Sequence, residues 1–208
     1  MVIISNMDKQ TIAFDLDGTL IDVSIRDYQI YVDIINELGG APIDYATYWP
    51  MRKERTDIHH ILELSKIVKD DDVRKFLHER KARMEDIHYL ELDSILNNVI
   101  PTLDFLSSKY NICIITIRHN RENTISQLKR LELDKYRVYI VEKEKTETLT
   151  AIPNIIAMVG DTENDINPSK NLGIKSIAVT TGIRSKRLLS EMNPDFIIDN
   201  LDELKVIL

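Results

Sequence analysis

Cysteine is nearly absent from this chain of 208 residues. Cys113 stands alone, so no disulfide can form within the chain. Its setting in the apolar run Ile112-Cys113-Ile114-Ile115 marks it as a small buried hydrophobe rather than a nucleophile or ligand. Glycine and proline are scarce, six of each, and nowhere clustered, which excludes low-complexity segments and long flexible linkers. No internal repeat is present. No apolar stretch nears the roughly 20 residues needed to cross a bilayer, and the opening MVIISNMDKQ lacks the basic start and long apolar run of an export leader. The expectation is a cytoplasmic protein with no membrane partner. Basic charge is also short. Against 34 Asp and Glu there are 27 Lys and Arg, a net charge of −7, and no basic stripe provides the footprint of a nucleic-acid binder.

What is present is the stock of an ordinary folded domain: 43% hydrophobic and 29% charged residues. The length allows one large domain or a core with a smaller insert. From about Asp22 to Asn98 strand signals are lacking and helical periods dominate. Tyr28, Tyr31, Val32, Ile35 and Leu38 recur at helical spacing before Gly39-Gly40, a stop signal. Val73, Phe76, Leu77, Met84 and Ile87 follow the same period, with Asp70-Asp71-Asp72 at the helix N-terminal end. After Pro101 the texture becomes apolar runs alternating with polar helical stretches: 112–116, 138–141, 155–160 and 174–180. Such alternation predicts crossover units and a mainly parallel sheet, to which the run Thr11 to Phe14 also belongs. The expected fold is α/β, a three-layer Rossmann-like core (1–21 and 99–208) with an all-α cap (22–98) inserted after the first strand.

In such sheets ligands bind beyond the carboxyl ends of the strands. The first run ends in FDLDGTLID, with Asp15 and Asp17 two residues apart. Like charges that close raise each other's pKa unless a cation or a ring of donors neutralises them. The other runs end at Thr116, at the lysine-bearing Glu142-Lys143-Glu144-Lys145, and at Gly160-Asp161 with Asp165 close behind. Three carboxylates with a glycine turn suit Mg²⁺, a hard cation that takes oxygen ligands. A hydroxyl and an amine can supply donors to a phosphate. Together these residues point to phosphoryl transfer.

The motifs DLDGT at Asp15 to Thr19, IIT at Ile114 to Thr116, a lysine upstream of the last motif, and GDTENDI at Gly160 to Ile166, in this order, resemble the haloacid dehalogenase superfamily over essentially the whole chain. The helical insert and the tail VTTGIRSKRLLSEMNPDFIIDNLDEL resemble its phosphoglycolate phosphatase and β-phosphoglucomutase branch. The resemblance implies that Asp15 is a nucleophile forming an aspartyl phosphate and that Asp17 is the acid and base for leaving group and water. It implies Mg²⁺ on Asp15, the backbone carbonyl of Asp17, and Asp161. Thr116 would bind the transferring phosphoryl group, and a lysine would balance its charge, with Asp165 orienting that lysine or a metal-bound water. Lys143 and Lys145 both qualify; Lys145 is preferred because it opens a helix pattern.

Relatives often follow the motif threonine with Gly-Asn, where this chain has Ile117-Arg118-His119-Asn120; Arg118 therefore joins the candidate substrate-binding residues. In the cap, Glu54 replaces a glycine common in relatives, and its neighbours Arg52 and Arg55 are further candidates. The expected activity is hydrolysis of a small phosphorylated metabolite by a monomer or weak homodimer. The alternatives are a sugar phosphomutase, which would need a bisphosphorylated activator, and a catalytically silent phosphate-binding module.

Overall fold

The computed structural model describes residues 9–208; residues 1–8, which hold most of the opening stretch and the start of the expected core segment 1–21, lie outside the described residues. Among these, the strands in chain order are β1 Thr11–Phe14, β2 Ile21–Asp22, β3 Ser94–Ile95, β4 Asn111–Ile117, β5 Arg137–Val141, β6 Ile155–Gly160, β7 Lys175–Val179 and β8 Phe196–Ile198. The helices are α1 Ser24–Glu37, α2 Tyr45–Lys53, α3 Ile58–Leu64, α4 Asp70–Arg83, α5 Ile87–Leu90, α6 Val99–Ser107, α7 Arg121–Arg130, α8 Thr146–Ala151, α9 Glu163–Leu172, α10 Lys186–Glu191 and α11 Leu204–Ile207.

Strand residues alternate between two buried faces, which is why the runs are apolar throughout rather than every second residue. Ile12, Phe14, Ile112, Ile114, Ala157, Val159, Ile177 and Val179 share one cluster with Leu103 of α6 and Leu128 of α7. Their neighbours Ala13, Cys113, Ile115 and Met158 meet Leu149 of α8 on the other face. Helices thus cover both faces of a six-stranded sheet of order β5-β4-β1-β6-β7-β8, in which every pairing is parallel. The chain winds from β1 through β4 to β5, then crosses to β6 on the far side of β1. The crevice at a carboxyl edge where winding reverses is where such sheets bind ligands, and it lies between the ends of β1 and β6.

Helices α1 to α5 have a core of their own. Ile30, Tyr31, Ile34 and Ile35 of α1 pack with Tyr48, Ile61 and Phe76. The Tyr31 ring stacks on Tyr48 with centroids 4.3 Å apart, and Phe76 meets Tyr31 edge-on at 6.4 Å. Gly39, at φ +75°, turns the chain out of α1 and lets the Gly40 N–H reach Ile35 O at 2.9 Å. The periodicity of residues 73–87 spans more than one helix. α4 stops at Arg83, Asp86 caps the separate α5 through His88 N at 2.8 Å, and Leu77 remains 46% exposed.

Three strands escaped the sequence pattern, two of them at the edges of the segment 22–98 expected to be all helix. β2 and β3 pair antiparallel as a two-residue ribbon joining the chain's way into and out of the helical segment, and β8 is a three-residue edge strand. Elements that short cannot display alternation. Beside the ribbon, Arg26 of α1 is buried, with Nη1 donating to Met84 O at 2.8 Å, Nη2 to Asp17 Oδ1 at 2.5 Å, and Nε 3.2 Å from Asp93 Oδ1. Asp93 also accepts from Gln127 Nε2 at 2.5 Å.

Burial pushes the Asp93 carboxyl up to about 7, with Arg26 opposing and Asp17 adding to the rise. An acid raised in the folded state binds more protons there than in the unfolded chain. Its stability contribution is therefore greatest below the unfolded value of about 3.9 and is lost as pH rises through the folded one. Urea unfolding of metal-free protein should accordingly show stability falling from about pH 5 to about pH 8. Asp93→Asn should flatten that fall by roughly 1 to 3 kcal/mol; an unchanged slope in the variant would contradict this account.

Candidate active site

The turn after β1 is shaped by its own backbone. Gly18 N donates to Ile21 O at 2.8 Å, and Leu20 N and Ile21 N reach back to Leu16 O at 3.0 and 3.1 Å. Asp15 N bonds Val159 O at 2.8 Å, which carries the β1–β6 ladder one residue past the strand and holds Asp15 over the crevice. Thr116 is the penultimate residue of β4, Asp161 follows β6 directly, and Asp165 lies in the first turn of α9.

Lys145, at the N-cap of α8 and 2% exposed, donates through Nζ to Asp15 Oδ1 and, at 2.6 Å, to Asp165 Oδ1. Lys143 is exposed, so the tertiary structure distinguishes the two lysines. The second oxygen of Asp165 accepts from Thr162 N at 3.1 Å and Thr162 Oγ1 at 2.9 Å, closing a capping box on α9. Both Asp165 oxygens are thereby engaged in holding the lysine and the helix end. Asp161 Oδ2 accepts the Ile183 N–H at 2.6 Å. It sits where no side chain could replace two glycines: a Cβ on Gly18 or on Gly182 would collide with the Asp161 carboxylate, and Gly18 also needs its φ of +80°.

Charge in this cluster is out of balance. Asp15, Asp161 and Asp165 bring carboxylate oxygens within 4.8 Å of one another, all buried, against a single ammonium. Burial, with Asp165 and Asp17 adding and Lys145 opposing, pushes Asp15 up to about 7. Burial and then Asp15 hold Asp161 well above the usual carboxylate range. Burial alone would lower Lys145, but Asp15 and Asp165 more than offset it and hold the amine above its ordinary value. A deficit of two positive charges among hard oxygen donors is what a dication relieves. Among the described residues the buried Thr116 Oγ1 has no hydrogen-bond partner, so this donor is available to a ligand. The residues present fit Mg²⁺ beside a phosphate.

Asp17 behaves differently. Burial would raise its pKa, but Arg118 and Arg26 outweigh that and hold it below the usual range. Arg118 donates through Nε and Nη2 to the two Asp17 oxygens at 3.0 and 2.6 Å, opposite the Arg26 contact. The raised pKa expected of a general acid is therefore not found in the ligand-free protein.

A cavity of about 230 Å³ opens over these groups, lined at its floor by Asp15, Thr116, Lys145 and Asp161 and above by Arg26, Met84, Glu85 and Arg118. Of the three arginines expected to bind substrate, only Arg118 lines it. Arg52 is drawn to Asp27, with Nε at 3.3 Å, alongside Arg80 at 2.5 Å and the Tyr48 hydroxyl. Arg55, 55% exposed, pairs with Glu163 at 2.9 Å. Arg26 and Glu85 carried no motif by which the sequence could be searched. The Gly182-Ile183 cradle lies in the VTTGI start of the family-like tail, which the resemblance covers without giving these two residues a role.

Comparison with known proteins supplies the family. The model of the haloacid dehalogenase-like hydrolase family matches residues 12–179. The chain belongs to this family. It is 28% identical to a phosphoglycolate phosphatase of Aliivibrio fischeri and 26% identical to the pyrophosphatase PpaX of Bacillus cereus, each over 97% of this chain and 97% of the relative. A putative phosphatase of Clostridium difficile shares the fold with a TM-score of 0.76 at 21% identity, covering 96% of this chain and 98% of that one. As a haloacid dehalogenase-like protein the chain is a hydrolase, and phosphatase chemistry is the activity of its named relatives. Among the described residues no helix is long and apolar enough to cross a membrane.

The glycine cradle yields a sharp expectation. Gly182→Ala should retain the fold by circular dichroism yet lose about a hundredfold or more in turnover, because Asp161 must move by a fraction of an ångström or more. Turnover within twofold of the parent protein would show that Asp161 needs no such support.

Proposed function

We propose that this protein is a Mg²⁺-dependent phosphatase of small phosphomonoesters working through an aspartyl phosphate. The observation that carries the reading is the buried Asp15, Asp161 and Asp165 cluster, bridged by one Lys145 and facing the unpartnered Thr116 hydroxyl.

Asp15, Asp161 and the Asp17 backbone carbonyl would hold Mg²⁺, which would supply positive charge to screen a carboxylate from a phosphate dianion. A carboxylate oxygen of Asp15 forms a bond to phosphorus as the bond to the ester oxygen breaks, and that oxygen leaves with a proton from Asp17. Water then attacks the aspartyl phosphate and gives its proton back to Asp17, which frees Asp15 and inorganic phosphate. Thr116 donates to a phosphoryl oxygen, and Lys145 opposes the charge shared by Asp15 and the phosphate. Asp165 keeps Lys145 in place from behind. Arg118 and Arg26 keep Asp17 ionised in the resting protein, the form that accepts a proton from water. The proton that water leaves on Asp17 in the second step is the one Asp17 gives to the next leaving oxygen.

Asp15→Asn should keep the fold and lose on the order of a thousandfold or more in kcat on an aryl phosphate. Exhaustive chelation should abolish activity, with Mg²⁺ restoring it and Ca²⁺ restoring little, owing to its looser and higher coordination. Turnover that survives either treatment would remove the basis for this mechanism. Asp17→Asn should damage an alkyl phosphate more than an aryl phosphate with an acidic phenol, since the latter needs little protonation on leaving. Equal damage would deny Asp17 the acid role.

A further inference from the structure

The cavity has a floor fitted to a phosphate and an upper part that must hold the leaving group, and the charges of that upper part are arranged against one class of substrate. Two guanidiniums line it, and both are committed. Arg26 and Arg118 converge on Asp17; Arg26 also meets Met84 O at 2.8 Å and Asp93 Oδ1 at 3.2 Å, and Arg118 meets Gln127 Oε1 at 3.4 Å. Asp27, also at the cavity, is met by Tyr48, Arg52 and Arg80.

Glu85 is the group left over. It follows α4 at the cap side of the cavity, half-buried, and its carboxylate accepts the backbone N–H of His119 at 2.9 Å and of Asn120 at 2.5 Å. The Asn123 side chain donates to Glu85 O at 2.8 Å, which fixes the segment against the start of α7. Among the described residues no cation pairs with Glu85, so two backbone dipoles are what face its charge. Those two N–H groups lie directly after Arg118 and point at an anion from the turn between β4 and α7, an arrangement well suited to a carboxylate or phosphate of a substrate. The protein's own carboxylate already fills it.

We propose that Glu85 is a specificity-determining residue that excludes leaving groups bearing a second negative charge. The substrate is then a phosphomonoester of a small alcohol that is uncharged or positively charged. This rests on the phosphatase reading above and narrows it. An incoming carboxylate or second phosphate would find the backbone N–H pair occupied, both guanidiniums engaged, and the unpaired charge of Glu85 at close range. A hydroxyl or an ammonium group meets no such repulsion. Discrimination built from a repulsive element of this kind is a common route to specificity. It would separate this chain from relatives named for phosphoglycolate and pyrophosphate, whose leaving groups are anionic.

The test compares esters of matched size and opposite charge: hydroxyethyl phosphate against phosphoglycolate, and glycerol phosphate against phosphoglycerate, with an aryl phosphate as reference. With Mg²⁺, kcat/KM of the full-length protein should favour the uncharged member of each pair by about tenfold or more. Glu85→Gln keeps an oxygen for the two N–H groups and removes the charge; it should cut that preference by about tenfold, chiefly through a lower KM for the anionic ester. Asp86→Asn, a neighbouring carboxylate outside the cavity lining, should leave the preference as it was. Raising the salt concentration should narrow the preference of the unsubstituted protein, a readout that survives if the Glu85 variant folds poorly. A preference for phosphoglycolate over hydroxyethyl phosphate, or equal preference in the parent and Glu85→Gln proteins, would overturn the proposal. If the aryl phosphate too is left intact, the phosphatase reading itself falls and the proposal with it.

Discussion

One buried ammonium group organises the catalytic end of this molecule. Lys145 reaches Asp15 on one side and Asp165 on the other, and without it three carboxylates could not share a space closed to solvent. Removing charges from water costs several kcal/mol per ion, and only tight pairing with further hydrogen bonds offsets it. Two of the three carboxylates are held by further hydrogen bonds: Asp165 by Thr162 at the N-terminus of α9, and Asp161 by the Ile183 N–H. The residual excess of negative charge remains as the binding energy available to a dication. The sheet exists, in this sense, to deliver four chain segments to the point where that imbalance is held.

The helical segment meets the core through seams unlike either interior. On one side Lys53 Nζ donates to Thr180 O at 2.8 Å, Glu54 pairs with Arg187 at 2.6 Å, and Arg55 with Glu163. On the other side Glu85 accepts from the turn before α7. Exposed ion pairs contribute about 0 to 1 kcal/mol each, whereas the two hydrophobic clusters rest on many buried side chains. The buried exception is Arg26 of α1, which meets Met84 O, Asp93 and Asp17. Breaking a buried pair of this kind costs several kcal/mol, so Arg26 ties the position of the helical segment to Asp17.

Much of the core was legible because its signals are local. Ile12 to Phe14 followed by Asp-Leu-Asp-Gly-Thr announces a strand, a turn and paired acids within a few residues, and Gly160-Asp161 to Asp165 does the same with its cap. The apolar runs at 112–116 and 155–160 are buried on both faces, so their composition alone betrays them. By contrast β3 and β8 are too short to show a period, and the helical pattern of residues 73–87 ran across the break after Arg83 because Asp86 restarts a helix in nearly the same phase. Between Lys143 and Lys145, in a run of alternating charge, the sequence offered only the helix pattern that favours Lys145; burial separates them.

The sequence by itself determined the alternation of strands and helices, the helical insertion and the inventory of acids at strand ends, since each of these follows from short-range periodicity and side-chain chemistry. Only the tertiary structure decided what each charge does. Arg118 and Arg26 close on Asp17, Arg52 turns to Asp27, Arg55 to Glu163, and Glu85 to the amides of His119 and Asn120, across separations in the chain that leave no local pattern. The physical reason is that a long charged side chain goes to whichever opposite charge or dipole packing brings within about 3 Å. That distance is a property of the fold and not of any stretch of sequence.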